Sequence, residues 1–162
     1  MVTADDRYVV FISNRSGLIA PWIVSIDDGT PTQVVNVFAC APGVDASPDG
    51  KLLVFAGREE NRNYVVVCDL TTCTNRKSVA LPPIGPSRLR WTPDGRDIAY
   101  VDSVTQANIW IQPLDGKPPR QLTPFTDART IGDFAWSRDG KRLAISRVSV
   151  TNDIVLFKGL KK

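Results

Sequence analysis

The sequence predicts an all-β fold assembled from four consecutive copies of a small antiparallel sheet. Three observations carry that prediction. A short turn motif recurs at near-constant spacing, each copy leads into an apolar strand, and no segment holds a helical hydrophobic period. Ser47-Pro48-Asp49-Gly50-Lys51 returns as Thr92-Pro93-Asp94-Gly95-Arg96 and again as Ser137-Arg138-Asp139-Gly140-Lys141. A worn copy, Thr3-Ala4-Asp5-Asp6-Arg7, opens the chain. Asp5, Asp49, Asp94 and Asp139 stand 44, 45 and 45 residues apart. Self-similarity at such a period marks a repeat architecture.

The elements follow in order within each copy. The motif has the chemistry of a tight hairpin turn. Proline at its second position presets φ, and Asp followed by Gly completes the turn, Gly being free to take φ > 0. Asp6 stands where the other copies have Gly, and Asp tolerates the left-handed region better than most residues. A strand comes next: Tyr8-Val9-Val10-Phe11-Ile12, Leu52-Leu53-Val54-Phe55-Ala56, Ile98-Ala99-Tyr100-Val101 and Leu143-Ala144-Ile145. These are apolar on both faces, as strands lying between two layers are. About 15 residues after each turn a further strand is expected. These strands are Pro21-Trp22-Ile23-Val24-Ser25-Ile26, Tyr64-Val65-Val66-Val67, Ile109-Trp110-Ile111 and Asp153-Ile154-Val155-Leu156-Phe157. A polar turn follows, as in Asp27-Asp28-Gly29, Asp69-Leu70-Thr71-Thr72 and Asp115-Gly116. A short strand closes the unit, as in Gln33-Val34-Val35, Ser78-Val79-Ala80-Leu81 and Arg120-Gln121-Leu122-Thr123.

Four short strands in each repeat make a sheet with two apolar faces, which cannot stand alone. Radial stacking buries both faces, and that is the β-propeller solution. A two-layer sandwich needs no fixed period. The expected blades are 1–40, 41–83, 84–125 and 126–162, the first and last incomplete. Only Val2 precedes Thr3 in the first unit, and the last stops just past its third strand. The expectation is a segment of a larger ring whose open blade faces and unpaired edges favour self-association.

Composition narrows the chemistry. Of 162 residues, 43% are apolar and 23% charged, the balance of an ordinary globular chain. No run is long and apolar enough for a transmembrane helix, so no membrane insertion is expected. Asp5 and Asp6 stand where a signal peptide would place its basic and apolar segments. The net charge of +3 is not clustered, so no nucleic-acid partner is expected. The chain contains no His. That removes Ser–His, Cys–His and His–metal sites within the chain. The expectation is a protein that is not itself an enzyme, with no metal and no cofactor.

These motifs resemble the repeat of the TolB-like propellers, in which Trp-Ser-Pro-Asp-Gly-Lys precedes an apolar strand. Trp91-Thr92-Pro93-Asp94-Gly95-Arg96 and Trp136-Ser137-Arg138-Asp139-Gly140-Lys141 come nearest. Asn108-Ile109-Trp110-Ile111, Asp115-Gly116 and Arg120-Gln121-Leu122-Thr123 are similar to that family's third and fourth strands. The resemblance covers essentially the whole chain. It implies a protein- or peptide-binding role and a periplasmic or extracellular setting. It further implies a C-terminal position in a larger bacterial protein, of the receptor serine/threonine kinase or winged-helix regulator type. Two other settings are implied by relatives of the repeat: a periplasmic partner of envelope proteins, and a substrate-gating cap on a prolyl-oligopeptidase-type hydrolase.

Several residues invite functional readings. Asp133-Phe134-Ala135 is similar to a kinase metal-binding Asp-Phe-Gly, but the Gly and every other kinase motif are missing, so an inner strand is expected there. The four turn aspartates sit in separate blades, whereas calcium requires six to eight oxygens at one point, so they are expected to bond their own backbone. The aligned pairs Trp22/Trp110 and Trp91/Trp136 are expected to pack blade against blade. The ligand-binding candidates are Asp45, Arg88, Arg90 and Asp133, on segments that converge at the mouth of a propeller's channel. Their plainer role is a hydrated channel lining. Cys68 and Cys73 flank a four-residue loop, a spacing that allows a disulfide across a hairpin. In an oxidising compartment Cys68 and Cys73 pair and Cys40 stays free; in a reducing one all three remain thiols. Mass spectrometry after non-reducing digestion of secreted material checks this, and a major bridge containing Cys40 would refute it.

Overall fold

The computed structural model describes residues 1–35, 39–59, 62–80, 86–102 and 105–149, with backbone alone at 39–42, 59, 86 and 87. The described residues form strands and turns without helix. The first sheet holds β1 (Tyr8–Ser13), β2 (Ala20–Ser25) and β3 (Pro31–Gln33). The second holds β4 (Ala39–Ala46), β5 (Leu52–Glu59), β6 (Arg62–Asp69) and β7 (Lys77–Ala80). The third holds β8 (Pro86–Trp91), β9 (Asp97–Asp102), β10 (Ile109–Pro113) and β11 (Arg120–Gln121). The fourth holds β12 (Thr130–Trp136) and β13 (Leu143–Val148). Every sheet runs in chain order with antiparallel neighbours. The strand expected at Asp153–Phe157 lies outside the described residues, as does Leu81.

One strand begins earlier than the turn spacing suggests. β4 starts at Ala39, two residues ahead of the expected division at 41, because β5 runs on to Glu59 and Ala39 pairs with Gly57. Ahead of the first sheet, Val2 forms a single antiparallel bridge with Val9. The Met1 ammonium donates to the Val10 carbonyl at 2.6 Å.

The recurring motif folds the same way four times. In the second copy the Ser47 N–H donates to the Leu52 carbonyl and the Leu52 N–H donates back to Ser47 Oγ, closing the hairpin. Ser47 Oγ donates to Asp49 Oδ1 at 2.5 Å, and the same oxygen accepts the Lys51 N–H at 3.1 Å. Thr3/Asp5, Thr92/Asp94 and Ser137/Asp139 repeat both contacts. Each aspartate is thus engaged inside its own turn. The hydroxyl bond holds all four carboxyls below their usual range. Because these folded pKa values are depressed, what they contribute to stability is present above the unfolded value near 3.8 and lost as pH falls below it. The turn's last position is left-handed: φ is +70° at Gly50, +68° at Gly95 and +69° at Gly140, and Asp6 takes φ 56° in the worn copy.

Strand alternation then sorts side chains to opposite faces. Val10 and Ile23 of the first sheet meet Leu53, Phe55, Val66 and Cys68 of the second. Val54, Ala56, Val65 and Val67 leave the second sheet's other face to meet Leu89, Trp91, Ile98 and Tyr100 of the third. Ala99, Val101, Ile109 and Ile111 leave the third sheet's far face to meet Ile131 and Phe134 of the fourth. Three separate cores therefore lie between successive sheets.

The turns also touch in sequence. A Cβ built on Gly95 would lie 3.7 Å from Pro48 Cδ, and one on Gly140 only 2.6 Å from Pro93 Cβ. Gly116 takes φ +88° in open space, with nothing within 4 Å. Gly116→Ala is expected to cost about 1–2 kcal/mol from the left-handed backbone alone. Gly140→Ala adds the clash with Pro93, roughly a further 1–3 kcal/mol. Urea unfolding of the two variants side by side measures the difference.

Candidate functional site

Among the described residues, the innermost strands β4, β8 and β12 each have one edge paired and one edge hydrogen-bonded to no further strand. Antiparallel pairing alternates which backbone groups reach the partner. The Thr92 N–H donates to the Asp97 carbonyl of the β9 hairpin, so its neighbour Trp91 turns its N–H the other way, to the open edge. There Asp45 Oδ2, from the preceding sheet, accepts it at 2.8 Å.

The other three candidates serve the same edge. Arg90, in the register position of Asp45 one repeat later, donates from Nη1 to the Leu89 carbonyl at 2.9 Å. Its Nη2 reaches Asp133 Oδ1 at 3.4 Å. Arg88 Nε donates to the Gly132 carbonyl at 2.8 Å, crossing from the third sheet to the fourth. Asp133 Oδ1 accepts the N–H of its own neighbour Phe134 at 2.8 Å. All four candidates thus lie on inner strands and satisfy inner-edge polar groups. The strands come close here: a Cβ on Gly43 of β4 would sit 3.0 Å from Leu89 Cβ of β8.

Asp45 is 5% exposed. Burial pushes its carboxyl up to about 6, against the opposing pull of the Trp91 N–H and of Arg90. A carboxylate is costly to desolvate, and here one hydrogen bond and a nearby guanidinium offset only part of that cost.

A hollow of about 370 Å³ opens at the motif end of these strands. Its wall repeats three register positions across all four copies. Met1, Asp45, Arg90 and Ala135 form one tier, Val2, Ala46, Trp91 and Trp136 the next, and Ala4, Pro48, Pro93 and Arg138 the rim. Asp45 and Arg90 come together there; Arg88 and Asp133 do not reach it. Arg138 was not a sequence candidate. The signal was present, since Arg138 stands where two other copies have proline. A larger groove, about 880 Å³, lies at the periphery between β7 and the β10–β11 connection, lined by Val79, Leu114, Pro118 and Pro119 among others. Its size does not make it the better site. Asp115 and Lys117 on its wall pair with each other at 2.6 Å, whereas the mouth gathers charged groups from several copies.

The remaining motifs take structural positions. Phe134, of Asp133-Phe134-Ala135, is buried in the core between the third and fourth sheets. Trp91 is buried between the second and third sheets, and Trp110 packs against the same core. Trp136 packs against the core between the third and fourth. Trp22 faces away from the second sheet, and no described sheet lies on that side. The Arg15 guanidinium covers it instead, 4.9 Å from the ring. A disulfide joins buried Cys68 on β6 to Cys73 in the following loop, with Cα atoms 4.7 Å apart. Asn75 Nδ2 and Thr74 Oγ1 donate to Asp69 Oδ2 and brace that loop. The Cys40 side chain lies outside the described residues.

Four-stranded antiparallel sheets stacked face to face, with their first strands innermost, define a β-propeller segment. The fold is that of the TolB-like propellers. The chain is similar to TolB from Acinetobacter baumannii, with a TM-score of 0.73 at 21% identity, over 93% of this chain and 38% of that one. It is similar to a TolB-type protein from Agrobacterium tumefaciens, with a TM-score of 0.70 at 16% identity, over 92% of this chain and 57% of that one. A chain of a nidogen–laminin complex matches with a TM-score of 0.65 at 14% identity, over 88% of this chain and 53% of that one. The chain therefore spans less than two thirds of each of these proteins. At such identities the likeness shows the fold. The sequence matches no protein-family model and no curated protein.

Asp45 separates two effects that a single substitution would merge. Asp45→Ala strands the Trp91 N–H and is expected to cost about 1–3 kcal/mol in chemical unfolding. Asp45→Asn keeps an acceptor and removes the buried charge. The folded carboxyl titrates near 6 and the unfolded one near 3.8, so between these values the folded state holds the extra proton. Wild-type stability therefore falls as pH rises through that window. Asp45→Asn is expected to match wild type near the lower value and to exceed it above the upper one, by up to about 3 kcal/mol. Unfolding midpoints measured across pH read this directly.

Proposed function

We propose that the chain is a non-enzymatic binding module that holds a protein or peptide segment at the mouth of its inner strands. The observation that carries this reading is the hollow walled by the same register positions of all four copies. Arg90 and Arg138 stand on its wall; Arg90 already reaches Asp133 at 3.4 Å, Arg138 is exposed at the rim, and the wall's own carboxylate, Asp45, is occupied by the Trp91 N–H. That balance favours a segment carrying a carboxylate, presented as a side chain or a chain terminus. The disulfide between Cys68 and Cys73 supports an oxidising setting, periplasmic or extracellular. The TolB-like fold supports a role in a bacterial envelope or signalling protein. Receptor-kinase and winged-helix parents are the contexts that the sequence resemblance favours.

Selection from a displayed peptide library against the purified chain tests the reading. Acidic peptides are expected to emerge, and Arg138→Glu, at an exposed rim position, is expected to weaken them at least tenfold, about 1.4 kcal/mol. Lys77→Glu, on the peripheral groove, is expected to leave their binding unchanged. Recovery of no peptide, or binding that falls with Lys77→Glu but not with Arg138→Glu, would overturn the proposal.

A further inference from the structure

Three charged side chains stand on the wall of the inner hollow, and only Asp45 among them is buried. It sits where two sheets meet. Its own strand, β4, belongs to the second sheet, and the Trp91 N–H that its Oδ2 accepts at 2.8 Å belongs to the third. The charged groups around it are few. On β8, Arg90 acts on it most strongly, while Arg88 donates to the Gly132 carbonyl at 2.8 Å. β5 places Val54 opposite Asp45 and carries its own charged residues, Arg58 and Glu59, at its far end. β1 and β2 hold one titratable side chain, Tyr8, which packs against the core between the first and second sheets. The Met1 ammonium is the smallest influence and, like Arg90 and the Trp91 N–H, favours the ionised form. Burial opposes all of these and prevails, which is why the carboxyl is pushed up to about 6. The chain has no His, so no side chain at its ordinary value changes charge between about pH 5 and about pH 8.

The two forms of Asp45 make two different mouths. Ionised, it is the only carboxylate on the wall. It then draws on Arg90 from one side while Asp133 holds that guanidinium from the other at 3.4 Å, and it repels an arriving anion. Protonated, it keeps Oδ2 for the Trp91 N–H and carries the proton on Oδ1, so the bridge between the sheets survives while the charge is gone. Arg90 is then shared with Asp133 alone, and the wall retains Arg90 and Arg138 with no negative charge between them.

We propose that Asp45 couples capture at the mouth to proton uptake: the protonated form admits an anionic segment and the ionised form rejects it. This rests on the reading of the mouth as a site for an acidic segment, and it adds the direction of control, capture in acid and release near neutrality. Arg138 and Arg90 supply the attraction, and Asp45 gates it. The proton comes from solvent and returns to solvent, and no covalent bond of the ligand changes.

Titration calorimetry with a tetra-cysteate peptide, whose sulfonates stay ionised throughout, tests the coupling at constant ionic strength. For wild type the dissociation constant is expected to rise about tenfold from about pH 5 to about pH 7.5. In two buffers of different ionisation heat, binding near neutrality is expected to take up part of a proton. Asp45→Asn is expected to bind across the whole range about as tightly as wild type does in acid. Arg138→Glu is expected to weaken binding at least tenfold at every pH, which places the peptide at the mouth. Arg138-dependent binding of equal strength across the range would overturn the coupling and leave the acidic site standing. So would a pH dependence that persists in Asp45→Asn. If that variant does not fold, the proton count on wild type decides, and a count of zero overturns the coupling. Absence of Arg138-dependent binding at any pH would overturn the site and the coupling together.

Discussion

The second and third sheets of this chain are apolar on both of their faces, and most of the architecture follows from that constraint. In β5, Leu53 and Phe55 enter one core while Val54 and Ala56 enter the next. In β9, Ile98 and Tyr100 go one way, Ala99 and Val101 the other. Burying a Val, Leu, Ile or Phe side chain is worth about 1.5–3 kcal/mol, so a sheet standing alone would forfeit that gain on both sides. Stacking recovers it only if successive copies present their side chains at matching heights. The shared turn supplies the match, because its Ser or Thr hydroxyl closes the same hairpin register in every copy.

Stacking satisfies the faces and leaves the inner edges. A strand with no neighbour on one side carries backbone groups that still need partners. Here the partners are side chains, and they come largely from the adjacent sheet: Asp45 for the Trp91 N–H, Arg88 for the Gly132 carbonyl. Charged residues near the axis are therefore first of all part of the scaffold. This alters how a ligand site should be sought. Residues already bridging two sheets have geometry and charge committed, while residues on the rim, such as Arg138, do not carry that duty.

The sequence made the fold legible because its strongest signals are local. A motif of five residues sets a turn through its own hydroxyl and carboxylate, so its recurrence maps directly onto recurring hairpins, even where Asp6 replaces Gly. Strand alternation likewise needs only neighbouring residues. The site was legible in position and not in role. Asp45, Arg88, Arg90 and Asp133 could be placed on inner strands from spacing, but what each one bonds depends on which backbone groups point to the open edge, and that is fixed by pairing between strands. Trp22 shows the same limit. Its alignment with Trp110 is real, yet alignment does not say what covers its far side, where among the described residues the Arg15 guanidinium stacks on the ring.

The contact between successive turns bears on how such a chain tolerates change. On the motif side, Gly95 lies against Pro48 and Gly140 against Pro93, so each turn is measured against the one before it. Residues added there would push neighbouring copies apart. On the opposite side, the intervals from Ser13 to Ala20, from Glu59 to Arg62 and from Asp102 to Ile109 already differ in length while the turn spacing barely changes. The molecule therefore has a conserved-length rim and a free-length rim. Novel loops, whether drifted in over generations or grafted by an engineer, are accommodated on the second without disturbing the pitch set by the first.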